Sequence, residues 1–118
     1  MKFSICIPNY NYESYLGVAI ESALGQTYRD LEVIVVDNAS TDGSMAVCER
    51  LACDQLKVFK NPCNVGFAGN LDRTVSKASG ERALLLSSDD VLNPDALATY
   101  ACMLEGLRPE LRDLTLLG

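Results

Sequence analysis

Two adjacent carboxylates, Asp89 and Asp90, follow the apolar run Ala83 to Leu86 and the pair Ser87 and Ser88. A run of that composition reads as a buried strand, so the two acids emerge at its carboxyl end. Neighbouring carboxylates repel and lose hydration unless a cation or hydrogen-bond donors compensate them. A divalent ion does this well, because Mg²⁺ or Mn²⁺ is held by one or two carboxylates and completed by waters and substrate phosphates. The same pair also suits a plain turn ahead of a helix that starts at Asn93 and Pro94. A third acid, Asp37, leaves the run Leu31 to Val36 directly. There a carboxylate can accept hydrogen bonds from a ribose or a base, as acids at strand ends do in nucleotide-binding sheets.

The remaining candidates also sit where apolar runs end. Pro8, Asn9, Tyr10 and Asn11 follow the first run. Tyr10, between two asparagines, offers a flat face to a base, whereas Tyr12 falls on a helical stripe and is expected in the core. After Asp37 and Asn38, Thr41 and Asp42 can cap a helix and Gly43 can ease the turn. Asn64 to Asn70 contains Gly66 and Gly69, which admit either a close phosphate or close packing. Arg73 is the cation on that segment placed to reach inward, as a partner for a pyrophosphate or as a solvated arginine.

Composition narrows the chemistry. The chain has 118 residues, 48% hydrophobic and 22% charged, which suits one globular core and argues against disorder, collagen and coiled coil. It contains no histidine, so imidazole metal ligands and Ser-His or Cys-His pairs are excluded within it. A net charge of -6 with no basic stripe argues against nucleic acid as a partner. The five cysteines, Cys6, Cys48, Cys53, Cys63 and Cys102, match no zinc or thioredoxin spacing and read as small buried hydrophobes in a reducing compartment. The apolar run after Met1 stops at Pro8, too short for a signal peptide or a membrane span. A cytoplasmic location is expected, with peripheral attachment at the inner face of a membrane left open.

Four apolar, β-branched runs, Phe3 to Ile7, Leu31 to Val36, Leu56 to Phe59 and Arg82 to Leu86, alternate with four segments of helical period. The first helix carries Tyr12, Tyr15, Leu16, Ala19, Ile20, Ala23 and Leu24 on one stripe, and the second carries Met45, Cys48, Leu51 and Ala52. The third carries Phe67, Leu71, Val75 and Ala78. The fourth, with Asn93 as cap and Pro94 at its first position, carries Leu97, Tyr100, Ala101 and Leu104. This order predicts an α/β fold: a mostly parallel, doubly wound sheet with helices on both faces. Right-handed crossovers then place strand four beside strand one, with a ligand crevice outside their carboxyl ends. Leu111 to Gly118, with Leu114, Leu116 and Leu117, reads as the start of another strand, so the chain is expected to be the first part of a longer domain. Glu105, Glu110 and Asp113 read as solvated charges.

The succession Pro8 to Asn11, Gln26-Thr27-Tyr28, Val35 to Gly43, Gly80-Glu81, Ser88-Asp89-Asp90 and Pro94 to Leu97 closely resembles the amino-terminal half of family 2 glycosyltransferases. The resemblance covers nearly the whole chain. It implies a GT-A fold, with residues 1–118 as a single domain that binds a nucleoside diphosphate sugar, and inverting transfer to a glycan or lipid-linked acceptor. By this likeness Pro8, Tyr10 and Asp37 border the base and ribose, Asp89 lies near the ribose and metal, and Asp90 matches the main Mg²⁺ or Mn²⁺ ligand. Asn11, Asn38 and Arg73 complete the expected donor-binding set, and the catalytic base is expected beyond Gly118. Ser87 stands where many relatives carry the first acid of the metal motif. Asn38 replaces a frequent aspartate, a change compatible with uridine or thymidine donors. A non-catalytic nucleotide-binding or interaction remnant is the alternative. A receiver-like signalling module is disfavoured because the first strand ends in Pro8 and Asn9 rather than in acids, and a dinucleotide oxidoreductase because no glycine fingerprint follows that strand.

Overall fold

The first two strands are buried almost without interruption, as strands covered on both faces must be. A computed structural model describes residues 1–106 of the chain. In chain order the elements are β1 (Phe3–Asn9), α1 (Glu13–Leu24), β2 (Leu31–Asp37), α2 (Ser44–Arg50), β3 (Leu56–Lys60), α3 (Gly66–Ser76), β4 (Arg82–Leu85) and α4 (Ala96–Glu105). All strand pairings are parallel and the order across the sheet is β3-β2-β1-β4. The chain winds outward from β1 to β3 and then crosses back to β4. The reversal therefore falls between β1 and β4, as the crossover argument expects. The expected segment from Leu111 to Gly118, with Glu110 and Asp113, lies outside the described residues. Among the described residues no helix is long and apolar enough to cross a membrane.

The two faces of the sheet are built differently. Phe3, Ile5 and Ile7 of β1, Leu31, Val33 and Val35 of β2, and Leu84 of β4 pack with Leu16, Ile20 and Ala23 of α1, Cys48 of α2 and Leu97, Ala101 and Leu104 of α4 in one apolar core. The opposite face lies under α3, whose fully buried residues are Asn70 and Thr74. The expected apolar stripe of that helix is therefore corrected: Leu71, Val75 and Ala78 are half-buried and Phe67 is 76% exposed. The side chains of this layer satisfy one another's hydrogen bonds, which lets polar groups replace hydrocarbon beneath a helix. Tyr12 and Tyr15 likewise leave the core, at 43% and 55% exposure, and α1 buries Leu16, Ala19, Ile20 and Ala23 instead.

Other expectations shift locally. The fourth helix starts at Ala96, two residues after Pro94, because the Asn93 side chain accepts from the Asp95 backbone N–H at 3.0 Å and closes a turn first. Cys53, Cys63 and Cys102 are exposed, against the expectation that all five cysteines are buried. Cys6 and Cys48 do lie in the interior, where burial pushes their thiols up to about 12 and about 11 and keeps them protonated.

Beneath the amino-terminal ends of the strands the apolar run of β2 is broken by Glu32, which is only 2% exposed. Its carboxylate accepts from Ser4 Oγ at 2.5 Å, from the Ser79 backbone N–H at 2.7 Å and from Lys57 Nζ at 2.8 Å. Gly80 completes this corner, donating its backbone N–H to Ser4 Oγ at 2.8 Å. A Cβ at position 80 would stand 2.7 Å from Ser4 Oγ and 2.8 Å from the Lys2 carbonyl oxygen. Gly80→Ala is accordingly expected to destabilise the fold by about 1–3 kcal/mol through overpacking against strand backbone. A denaturation midpoint equal to that of the wild type would contradict this.

Candidate functional site

The switch point between β1 and β4 opens into a cleft of about 540 Å³ at the carboxyl end of the sheet. Pro8, Asn9, Tyr10 and Tyr12 form one wall, Asn64, Gly66 and Phe67 at the start of α3 form another, and Ser87 and Ser88 close the β4 side. Leu71, Leu85 and Leu86 give it an apolar lining, and Asn38 and Asn70 also border it. A mostly apolar cleft with a few convergent amides at a topological switch point is suited to a flat, partly polar ligand. Tyr10, Tyr12 and Phe67 are all large, partly exposed rings on this one cleft. Such rings present π faces against which a planar base can stack.

Of the residues singled out from sequence, Pro8, Tyr10 and Asn38 border the cleft, whereas Asn11, Asp37, Arg73, Asp89 and Asp90 are not among its lining. Asp37 is fully buried, and its carboxylate accepts from Asn9 Nδ2 at 3.0 Å, from the Ser40 backbone N–H at 2.9 Å and from Ser40 Oγ at 2.6 Å. Asp37, expected as a ribose or base ligand at the strand end, also ties the ends of β1 and β2 to the following turn. That turn carries Ala39 at a φ of 61°, a left-handed conformation costing an L residue about 1–2 kcal/mol, which the bonds between Asp37 and Ser40 help to hold. Asn11, at a φ of 56°, accepts from the Thr41 backbone N–H at 2.8 Å and receives support from Ser40 Oγ, binding the two loops together. Asp42 accepts from the Glu13 backbone N–H and from Ser44, so one carboxylate serves the starts of both α1 and α2. Burial raises its pKa, but these hydrogen bonds win and hold it below the usual value.

Asn38 is saturated within the protein. Its Oδ1 accepts from Asn61 Nδ2 at 3.0 Å and from the Val65 backbone N–H at 2.9 Å. Its Nδ2 donates to Asn64 Oδ1 at 2.9 Å and to the Gly66 carbonyl at 3.3 Å. Asn61 donates also to Asn70 Oδ1 at 2.9 Å, and Asn70 donates to the Val36 carbonyl at 3.1 Å. Arg73 does reach inward, but to Asn61 Oδ1 at 3.2 Å rather than to the cleft lining. Sequence reasoning passed over Asn70 because it looked for an apolar stripe on α3, and over Asn61 because it stands just beyond the apolar run of β3. The signal was the density of asparagines around Gly66.

Asp89 and Asp90 are exposed on a tight turn closed by the Asp90 backbone N–H to the Ser87 carbonyl at 3.0 Å. Ser87 Oγ donates to Asp89 Oδ1 at 2.5 Å, and the Val91 backbone N–H donates to Asp90 Oδ1 at 3.0 Å. The turn is fixed from behind by the end of α1. Ser22 Oγ accepts from the Leu92 backbone N–H, and buried Gln26 donates to the Asn93 carbonyl and accepts from the Leu97 backbone N–H. Thr27 adds bonds to Pro94 and Asp95. The Gln26-Thr27 pair thereby acquires a role that the linear pattern did not disclose: it seats α4 and, through it, the acidic turn.

Among the described residues no group of three or more His, Cys, Asp or Glu comes together to hold a metal ion. The hard oxygens of Asp89 and Asp90 nevertheless fit Mg²⁺ or Mn²⁺, which accept a sparse protein shell completed by water and phosphate. Asp90 and Asp89 would hold such an ion at the rim of the cleft, beside Ser87 and Ser88.

Residues 4–105 match the family described as Glycosyl transferase family 2. An uncharacterised glycosyltransferase of Nostoc sp. is 42% identical over 101 residues, which cover 82% of this chain and 31% of that protein. The crystal structure of Staphylococcus aureus TarS 1-349 in complex with UDP superposes with a TM-score of 0.84 at 32% identity, over 90% of this chain and 32% of that one. A mannosyltransferase of Pyrobaculum calidifontis in complex with GDP-Man and Mn²⁺ gives a TM-score of 0.82 at 27% identity, over 92% of this chain and 33% of that one. The chain spans about a third of the length of these relatives.

Proposed function

The chain belongs to glycosyl transferase family 2, and on that premise we propose that it forms the donor-binding part of an inverting glycosyltransferase. Its ligand is a nucleoside diphosphate sugar, UDP- or dTDP-linked in preference to GDP-linked, bound with Mg²⁺ or Mn²⁺. The acceptor is a glycan or a lipid-linked sugar. The observation that carries this reading is the cleft at the β1/β4 switch point, lined by Tyr10, Tyr12 and Phe67 and continued past Ser87 and Ser88 by the Asp89–Asp90 turn. UDP and UDP-GlcNAc bound to the TarS structures, and GDP-Man with Mn²⁺ in the mannosyltransferase, support a nucleotide-sugar donor.

In this reading the work divides along the cleft. Tyr10, Tyr12 and Phe67 receive the base, stacking their exposed faces against it. Leu71, Leu85 and Leu86 exclude water from its edge. Asp90 and Asp89 hold the divalent ion, which when bound neutralises charge on the diphosphate as the sugar leaves. The buried hydrogen bonds of Asp37 and Asn38 keep the two loops in place before the donor arrives, so little reorganisation is needed.

Titration of the chain with UDP, dTDP and GDP, each with and without Mn²⁺, tests the assignment. UDP or dTDP is expected to bind more tightly than GDP, with Mn²⁺ strengthening binding by about tenfold or more. Failure of all three nucleotides to bind, or binding indifferent to Mn²⁺, would sink the site assignment.

A further inference from the structure

We infer that Asn61 is a positioning residue for the nucleotide cleft, acting through Asn38 on the wall formed by Asn64, Gly66 and Phe67. The inference rests on the donor-binding reading above. Asn61 does not line the cleft and is only 4% exposed, so it cannot meet a ligand there directly. Its place is behind the wall. Its backbone N–H donates to the Asp37 carbonyl at 2.8 Å, which fixes it to the end of β2. Its Nδ2 donates both to Asn38 Oδ1 and to Asn70 Oδ1, joining the β2 end to α3.

The chemistry at each position is selective. A carboxamide offers two donor hydrogens and an acceptor oxygen with two lone pairs, and in Asn38 both sides are used. Its oxygen holds Asn61 and Val65 while its nitrogen holds Asn64 and Gly66. Asn61 supplies the donor that orients this amide. Without that donor the Asn38 amide loses the reason to keep its oxygen toward Val65, and a rotated amide would set Nδ2 against the Val65 N–H. The turn it secures includes Gly66 at a φ of 82°, a backbone state that Phe67 follows directly. Phe67 is 76% exposed and has no core packing to fix its place, so its position against a ligand depends on this turn. Coupling of this kind passes through a contiguous set of bonds, Asn61 to Asn38 to the turn, without Asn61 touching the ligand.

The substitution Asn61→Asp tests the donor. An aspartate has nearly the same shape and keeps an oxygen for Arg73, which now bonds Asn61 Oδ1. It replaces the two donated hydrogens by a second acceptor oxygen facing Asn38 Oδ1 and Asn70 Oδ1, and its negative charge falls beside Arg73. The expected result is about tenfold weaker binding of the preferred nucleotide, UDP or dTDP, with the factor gained from Mn²⁺ unchanged, together with faster hydrogen exchange at the Val65 amide. A merely structural role would lower the melting temperature without moving Val65 exchange or affinity in the folded protein. If Asn61→Asp does not fold, the wild-type chain still decides. The Asn61 side-chain amide resonances should shift on titration with the nucleotide, and resonances that stay put overturn the proposal. Nucleotide binding equal in wild type and folded variant overturns the role of Asn61 alone. A wild-type chain that binds no nucleotide overturns the donor reading and this role with it.

Discussion

Replacing Glu32 by alanine is expected to cost about 3–5 kcal/mol of folding stability, because it leaves at least two donors, Ser4 Oγ and the Ser79 backbone N–H, without their acceptor at about 1–3 kcal/mol each. The substitution strands several groups at once. Ser4 Oγ, the Ser79 backbone N–H and hydroxyl, and Lys57 Nζ all donate to this one carboxylate, and Lys2 approaches it at 3.7 Å. The two lysines are half-exposed and can turn to water, so the larger penalty falls on Ser4 and on the Ser79 backbone. For a domain of this size the melting temperature should fall by roughly 15 °C or more. A loss of less than about 1 kcal/mol would refute the assignment of Glu32 as a buried keystone of the layer under α3.

The same carboxylate makes stability depend on pH with a definite sign. Burial alone would raise its pKa, but the bonds from Lys57, Ser4 and Ser79 outweigh burial and lower it from 4.5 to about 2. The folded state therefore holds the proton more weakly than the unfolded state. Its contribution is complete above about pH 5 and is lost as pH falls through the ordinary carboxylate range toward 2. The difference corresponds to about 3 kcal/mol. Acid unfolding followed by circular dichroism should show this loss in the wild type and a flatter profile in Glu32→Gln, whose side chain has no proton to gain. Parallel profiles for the two proteins would exclude Glu32 as the source.

The second large effect concerns the acidic turn. Asp90→Ala is expected to lower Mn²⁺-supported nucleotide binding by about tenfold or more, down to the metal-free level, because the ion it would hold no longer offsets the phosphate charge. Binding without metal should change little, since the aromatic rings, not Asp90, line the cleft. Asp89→Ala should lose less, because Asp90 is proposed as the main ligand of the ion and Asp89 as its neighbour. Folding should be preserved in both, as the two acids are exposed and the turn keeps its backbone bond from Asp90 to Ser87. Isothermal titration with and without Mn²⁺ reads both quantities. An Asp90→Ala protein in which Mn²⁺ still strengthens binding as in the wild type would remove Asp90 from the metal site.

Much of this architecture is written in the linear pattern. Runs such as Leu31 to Val36 have to be strands covered on both sides, and the helical periods between them force parallel crossovers. The placement of β4 beside β1 and the crevice at the carboxyl ends follow from handedness rather than from any particular side chain. Pro8, Tyr10 and Asn38 were legible as cleft residues for the same reason: they sit where strands end. The family likeness, spread over nearly the whole chain, was equally present in the order of short motifs.

The partners of individual polar side chains were not legible. Periodicity assigned Tyr12 and Phe67 to the core and overlooked Asn70, because a stripe rule counts hydrocarbon and cannot see a helix seated on amides. Asp37 looked free for a ligand until Asn9 and Ser40 were found on its oxygens. Glu32 was passed over inside the apolar run Leu31 to Val36, and only in the fold do Ser4, Lys57 and Ser79 converge on it.

From the sequence alone come the strand and helix order, the parallel sheet, the family and the end of the sheet where a ligand belongs. Only the tertiary structure decided which amides border the cleft and which acids hold the loops around it. The reason is physical: the order of strands and helices follows from residue types and their spacing along the chain, whereas a hydrogen bond needs a partner. For Glu32 and Asn38 those partners lie 23 to 47 residues away and are brought within reach only by the register of the folded sheet.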